Sequence, residues 1–501
     1  MPSVKPKFCV SILPLTENQL IALLLEIKNA DLIEIRLDYL STLNVKLIRQ
    51  HIKVPIIITV HTTTEGGFLG GTQSELINIY QEAINAGIDY VDVQYQSASV
   101  ILPKLKFNPK TKLILSCHSD ESEIDLLKKI IKEMTAKKAD LYKLVFTANN
   151  LNDNRKTLYL INYVKQLHIS LIIHAQGEEG SLSRILASFL GNVWTYVSLQ
   201  DGLQTAPGQL NIHRAKDQYY LHEKNQNCHL FGLVGFPVAQ SKGWLIFNRL
   251  FHLQKFHKHS DNPLFNSIYL NFPAKNISEF WNNWNDIIDG LSITIPHKES
   301  ILQFVSFKSE EVKLTGVSNT LVKNDDTWKA YNTDFLAIYE LLKPFRDQLL
   351  DNAILVFGTG STARNSIAAL QRLNLEKIFL AGRNKERGNL LAKMFSVTFL
   401  ENINDLPSLS AIIQTTPVGM YPNVDETPDC TKLLKKDMVI FDVIYNPAIT
   451  QFLQYAKEKG CKTISGEEMY FHQAIKQFEI FTGNNISINY FKNVWSDLFT
   501  K

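Results

Sequence analysis

The sequence predicts an α/β chain in which an N-terminal (β/α)8 barrel precedes a two-lobed α/β unit. Three observations predict it. Eight short apolar runs alternate with helical patterns between residues 8 and 199. A polar stretch follows, NIHRAKDQYYLHEKNQNCH at 211–229. A second series of strands then begins, and one of them runs through a glycine-rich turn into a helix. A length of 501 residues suits about three domains at roughly 150 residues each.

The eight runs are FCVSIL, LIEIRLD, IIITVH, YVDVQY, LILSCH, LYKLVF, LIIHAQ and WTYVSL, starting near 8, 32, 56, 90, 113, 141, 171 and 194. Segments between them, such as TENQLIALLLEIKNA and SELINIYQEAINAG, are amphipathic at the helical period with a capping residue in front. Eight such repeats in about 200 residues match a closed barrel at its small end, whose functional side chains sit at strand C-termini. The opening MPSVKPKFCVSILPL is expected to be a first strand and not a leader, because Pro14 and Glu17 interrupt its apolar run. The expected domains are a barrel over 1–215, a linker over 216–229, a small lobe over 230–333 completed by 472–501, and a nucleotide-binding lobe over 334–471.

Composition excludes several classes. With 45% apolar and 20% charged residues and a net charge of +3, the chain is a globular protein without a nucleic-acid or membrane footprint. No window approaches the ~18 apolar residues that span a bilayer. The five cysteines are odd in number and scattered, which suggests a reducing, cytoplasmic setting and no metal site.

In LYKLVF the alternation puts Lys143 on one face with Leu141 and Val145. Burial inside a barrel disfavours the ammonium and lowers its pKa, the condition for an amine that attacks a carbonyl. Alone, this lysine would read as a side chain snorkelling from a strand end. It has company: His118 closes LILSCH, His61 and Glu65 stand in HTTTEGG, and Glu34, Arg36 and Asp38 lie at i, i+2, i+4. Arg184 in SLSR and Thr205 and Gln209 in TAPGQ follow. Each has a bland reading when taken singly; together they converge on the strand ends.

Over residues 8–212 these pieces resemble type I 3-dehydroquinate dehydratase: EIRLD, the EGG loop, SCH, ADLYKLVF, the SR of GEEGSLSR, and APGQ. The resemblance implies that Lys143 forms an imine with the C3 ketone of 3-dehydroquinate and that His118, tuned by Glu65, moves the protons. It implies that Arg184 binds the substrate carboxylate, with Glu34, Arg36, His61, Thr205 and Gln209 as further substrate contacts. Two positions depart from the pattern: His61 stands where arginine is usual, and Gln94 where glutamate is usual. His61 puts one substrate contact in doubt and offers a pH-dependent one instead. Thr205 replaces a usual serine but keeps the hydroxyl.

In the second half, ILVFGTGSTA gives a GxGxxA turn through Gly358, Gly360 and Ala363. The next strand, IFLAGR, ends in Arg383, with Arg387 four residues on, where a fold of this type that prefers NAD places an acid. Guanidiniums there attract a 2′-phosphate, so the expected cofactor is NADP, although two solvated arginines would look the same. GLSITIPHK places Lys298 beyond a strand, and AYNTD places Asp334 at the lobe junction.

With TGVSNT, QTTPVGMYP, DVIYNPAITQFL and GEEMYFHQAIKQFEIFTG, these pieces resemble shikimate dehydrogenase over roughly 230–490. The resemblance implies Lys298 and Asp334 as the catalytic pair, Asn319 and Gln473 on substrate hydroxyls, and Ser241 and Thr294 near its carboxylate. It puts Thr359, Arg383, Asn384, Arg387, Thr415 and Met420 at cofactor positions beside Gly358, Gly360 and Ala363. The opening motif departs: GFPVAQSKGW carries Gln240 for histidine and Gly243 for serine, and Gly382 stands where asparagine is common. The product of the first reaction is the substrate of the second, so the expectation is a bifunctional enzyme of the shikimate pathway with small-molecule substrates. A Schiff-base barrel fused to a quinate dehydrogenase, or a metabolite sensor on the same folds, are the alternatives.

Overall fold

The computed structural model describes residues 5–40, 44–63, 67, 69, 72–254 and 266–499. It divides into two compact units, one built on the chain up to His229 and the other on most of the chain beyond it. No helix among the described residues is long and apolar enough to cross a membrane.

The first unit is an eight-stranded parallel barrel of β1 (Phe8–Ile12), β2 (Leu32–Arg36), β3 (Ile56–Thr59), β4 (Tyr90–Gln94), β5 (Lys112–Ser119), β6 (Leu141–Thr147), β7 (Leu171–Gln176) and β8 (Thr195–Ser198). Hydrogen-bonded order runs β7-β6-β5-β4-β3-β2-β1-β8. Because strand side chains alternate, one inward row recurs every second residue. The lowest inward layer is Cys9, Leu32, Ile57, Ile114, Leu141, Ile172 and Trp194, packed with Tyr90 into one apolar cluster. Two residues further along each strand the layer turns polar: Ser11, Glu34, Thr59, Asp92, Ser116, Lys143 and His174, all buried. The apolar floor excludes water beneath this layer.

Two expectations are corrected. The barrel is not fully closed: among the described residues no ladder joins β7 to β8. The buried Asn192 amide occupies the seam, accepting from Ile173 N at 3.0 Å and donating to Ile173 O at 2.9 Å. A side chain thus does for the β7 edge what a neighbouring peptide would. The eighth repeat also lacks a full helix; after β8 come only short helical turns at Arg214–Gln218 and Leu221–Glu223. The first runs across the boundary expected between barrel and linker, the second lies within the expected linker, and Leu221 is fully buried.

The second unit holds two sheets. One contains β9 (His229–Gly235), β10 (Ser267–Pro273), β11 (Gly290–Ile293), β12 (Phe307–Lys308), β13 (Thr320–Asn324) and β14 (Thr327–Tyr331), in the order β10-β9-β11-β13-β14-β12. It is mixed, since β13 runs antiparallel to both β11 and β14. The other contains β15 (Ala353–Phe357), β16 (Ile378–Ala381), β17 (Thr398–Leu400), β18 (Leu409–Gln414), β19 (Val439–Asp442) and β20 (Lys462–Ile464). Its order, β17-β16-β15-β18-β19-β20, is parallel throughout and reverses direction at β15. That reversal opens a crevice at the carboxyl ends of β15 and β18, where doubly wound sheets bind dinucleotides. The helix Gly466–Thr482, the last but one in the chain, starts at a capping box of Ser465 and Glu468 and sends Gln477 to Ser292, the Asn319 carbonyl and Thr320.

Replacing Asn192 with leucine leaves the Ile173 N–H and C=O without partners in the barrel wall. A buried unsatisfied group costs about 1–3 kcal/mol. Hydrogen exchange at the Ile173 amide is expected to speed up by about 5- to 150-fold; an unchanged rate would mean that the seam does not depend on this amide.

Candidate active sites

The polar layer of the barrel floors a cavity of about 670 Å3 lined by Glu34, Arg36, His61, Gln94, His118, Lys143, His174, Arg184, Thr205 and Gln209, among others. Every sequence-expected barrel residue among those described therefore faces one space. Glu65 lies outside the described residues.

Lys143 Nζ donates to Asp92 Oδ2 at 2.5 Å, sits 3.6 Å from Glu34 Oε1, and lies 4.8 Å from the Tyr196 ring centre. Burial alone would favour the neutral amine, as expected from the sequence. The opposite direction prevails: the carboxylates of Asp92 and Glu34 outweigh the desolvation and hold the Lys143 pKa above that of a free lysine. Desolvation pushes the Asp92 carboxyl up. Glu34 goes down, held by Lys143, Arg36 and the hydroxyls of Ser11 and Thr59. Asp92 is the residue that sequence reasoning missed. Its signal was the alternation in YVDVQ, which puts it and Gln94 on the inward face.

Arg36 is taken up by Asp38, with Nε donating to Oδ1 at 2.9 Å. Thr205 Oγ1 donates to Ser11 Oγ at 2.8 Å, and its amide donates to Gln209 Oε1 at 3.0 Å. Ser11 in turn donates to Glu34, so the loop after β8 is tied to the cluster around the lysine. Arg184, on the helix Ser181–Leu190, is 3% exposed, and its Nε has no hydrogen-bond partner. Burial lowers its pKa to about 10. A desolvated guanidinium with an open donor is a receptor for an anion.

His118 is brought down to about 3 by burial and by Lys143, Arg36 and Arg184, so the imidazole is neutral at physiological pH. His61 is likewise lowered by burial, Arg36, His118 and Lys143. It therefore does not supply the charge of the missing arginine, and the expected pH-dependent contact from it is corrected to a neutral one.

In the second unit a cavity of about 860 Å3 is lined by Lys298, Glu299, Gly358, Thr359, Gly360, Gly382, Arg383, Asn384, Arg387 and Thr415, among others. Gly358 has φ +128°, and a Cβ there would collide with Thr415 Oγ1. At Gly382 a Cβ would meet Thr359 Cγ2 at 2.9 Å, which accounts for glycine at that position. Helix Ser361–Arg372 begins at Gly360 without a side-chain cap, so its first amides point to a ligand of negative charge. Arg387 meets Glu299 at 3.3 Å, and Arg364 meets the same carboxylate at 3.5 Å. The glycine cradle, the open helix start and the two arginines fit a dinucleotide with a 2′-phosphate. Two expected cofactor residues lie elsewhere: Ala363 is fully buried in the core of this lobe, and Met420 is exposed and does not line the cavity.

Lys298 Nζ donates to Asp334 Oδ2 at 2.6 Å, with both side chains partly exposed. Asp334 sits in the first turn of helix Thr333–Leu342, capped by Asn332, whose amide also donates to Thr315 and to Asn365. Asn319 and Gln473 converge on the Thr333 hydroxyl at 2.9 and 3.5 Å. Ser241 Oγ accepts from the Gly243 amide, and the Thr294 amide donates to Val234 O.

Comparison with known proteins follows the same division. A family model for type I 3-dehydroquinase matches residues 8–226, and one for the shikimate dehydrogenase substrate binding domain matches residues 233–321. The shikimate dehydrogenase (NADP(+)) of Clostridium perfringens is 31% identical over 276 residues, covering 54% of this chain and 98% of that protein. The pentafunctional AROM polypeptide of Schizosaccharomyces pombe is 28% identical over 496 residues, 90% of this chain and 31% of that protein. The bifunctional 3-dehydroquinate dehydratase/shikimate dehydrogenase of Arabidopsis thaliana is 32% identical over 483 residues, 91% of this chain and 78% of that protein. Similarity that runs unbroken through both halves, in the same order, means that the chain belongs to the bifunctional 3-dehydroquinate dehydratase/shikimate dehydrogenase family.

Proposed function

We propose that Lys143, Asp92, His118 and Arg184 carry the dehydration of 3-dehydroquinate in residues 1–215, and that Lys298 and Asp334 carry the NADPH-dependent reduction of 3-dehydroshikimate in residues 230–501. The observation that carries the first assignment is a buried lysine paired with a carboxylate in one cavity with a guanidinium whose Nε is unpartnered. Arg184 takes the substrate carboxylate and so sets the C3 ketone near Lys143. Asp92, its carboxyl raised by burial, accepts the ammonium proton and frees the amine to attack C3. Loss of water from the carbinolamine gives the iminium. Neutral His118 removes the C2 proton, and the electron pair moves into the iminium to form an enamine. The enamine then expels the C1 hydroxyl, which leaves as water with the proton from His118. Hydrolysis of the remaining iminium releases 3-dehydroshikimate and restores Lys143.

In the second half, Gly358, Thr359, Gly360, Arg383, Asn384, Arg387 and Thr415 hold NADPH, which supplies the hydride when bound. Lys298 donates a proton from Nζ to the ketone oxygen, and Asp334 orients that ammonium. Asn319 and Gln473 bind the substrate hydroxyls, and Ser241 and Thr294 lie near its carboxylate. Glu299 competes with the cofactor for Arg387.

Borohydride added with 3-dehydroquinate is expected to leave one reduced adduct, on Lys143, by peptide mass mapping. In Asp92→Asn that trapping is expected to slow by about 100-fold, the lower range of general-base effects; an adduct on another lysine would overturn the assignment. Asp334→Asn is expected to lower the reductase kcat by about 100-fold or more while leaving the Kd for NADPH within about twofold. Glu299→Gln is expected to tighten NADP+ binding by up to about fivefold, the scale of an exposed ion pair, with NAD+ binding unchanged; equal effects on both cofactors would remove Arg387 from the phosphate site.

A further inference from the structure

His61 and Gln94 are the two positions at which the barrel departs from the pattern it resembles, and the structure brings them together. Gln94 Nε2 lies 2.9 Å from His61 Nε2 and 2.9 Å from His118 Nδ1. The two rings stand edge to face with centroids 5.0 Å apart. One amide therefore spans both imidazoles inside the barrel, with Gln94 only 3% exposed. A half-turn of that amide exchanges its nitrogen and oxygen without moving either contact. In one orientation the nitrogen donates to two ring nitrogens. In the other the oxygen accepts from two ring N–H groups, so the tautomers of the two histidines change together.

For His118 to take a proton at Nε2, its own proton must sit on Nδ1, and that N–H needs an acceptor. We infer that Gln94 is a positioning residue for the dehydratase base: its amide oxygen receives His118 Nδ1–H, while His61 Nε2–H fixes the orientation of the same amide. The inference rests on the reading of His118 as the base.

The two departures also balance in charge. A neutral His61 for arginine removes a cation, and Gln94 for glutamate removes an anion. The net charge of the cavity is conserved, but where a carboxylate would stabilise an imidazolium, an uncharged dipole lies 2.9 Å from His118 Nδ1. Among the described residues the groups facing His118 are then Lys143 on β6, Arg36 on β2, Arg184 on the helix after β7, and His61 after β3, and the three cations all favour the neutral ring; Glu65, which the resemblance also places at this imidazole, lies outside them. Gln94 orients the base without making it harder to deprotonate.

The test is the pH dependence of dehydratase kcat in the full chain. Gln94→Glu is expected to move the acid limb up by about one unit or more, since an opposite charge in contact shifts a pKa by about 1–3 units. Gln94→Met is expected to lower kcat by about tenfold or more with KM within about twofold, because it removes both hydrogen bonds but no charge. Titration of the histidine ring signals by NMR gives a readout independent of turnover: the His118 signal is expected to titrate at higher pH in Gln94→Glu. Profiles of Gln94→Glu and wild type that superpose, with His118→Gln inactive, would overturn the role of Gln94 alone. Near-normal turnover in His118→Gln would overturn the reading of the base and this inference with it.

Discussion

The barrel is organised around one cost, the burial of a charged lysine at the centre of a β-barrel. An ammonium removed from water is tolerable only with its charge compensated and its protons shared. Asp92 at 2.5 Å and Glu34 at 3.6 Å compensate Lys143, and Glu34 is itself held by Ser11 and Thr59. That requirement explains why a whole layer of the interior is polar when most barrels of this type fill it with branched aliphatic residues. It also explains the loop after β8, which reaches the same cluster through Thr205 and Ser11. The apolar floor below keeps the compensation strong by excluding water from beneath the cluster.

A stabilised ion pair and a reactive amine make opposite demands. The compensation that lets Lys143 be buried raises its pKa, which holds the amine protonated at rest. Desolvation acts on Asp92 in the sense that resolves the conflict, since a carboxyl with a raised pKa is a better proton acceptor. The donor and acceptor atoms are only 2.5 Å apart, so transfer of the proton is a short step within one hydrogen bond, and neutralising both partners at once avoids leaving a lone charge in the cavity. The same logic governs the junction of the two lobes in the second unit, with a different setting. Lys298 and Asp334 are in direct contact there, without a second carboxylate beside the ammonium among the described ion pairs.

Much of this could be read from the chain because strand periodicity is a strict rule. EIRLD and LYKLVF gave Glu34, Arg36 and Lys143 as inward residues, and all three line the cavity. The same rule applied to YVDVQ, but a single acid on a strand carries no mark of its partner, so Asp92 and the direction of the Lys143 pKa were not legible. The open seam depends on which residues oppose each other across β7 and β8, a tertiary matter that no local pattern encodes. Glu299 and Arg387 are 88 residues apart, and nothing local pairs them. Ala363 and Met420 were placed at the cofactor by a motif alone, which carries no burial: Ala363 is buried in the lobe's core and Met420 is exposed.

Arg184 and His118 line the same cavity as the lysine cluster. Arg36 is occupied by Asp38 and Lys143 by Asp92, which leaves Arg184 as the cation with an open Nε. Burial first, and then the fields of Lys143, Arg36 and Arg184, keep His118 neutral. In the mechanism proposed above, a substrate carboxylate bound to Arg184 would offset part of that field, so the imidazolium formed when His118 takes the C2 proton would be less disfavoured in the complex than in the free enzyme. On that proposal substrate binding and base strength are coupled through one guanidinium: the group that recognises the substrate would also set how readily the base accepts its proton.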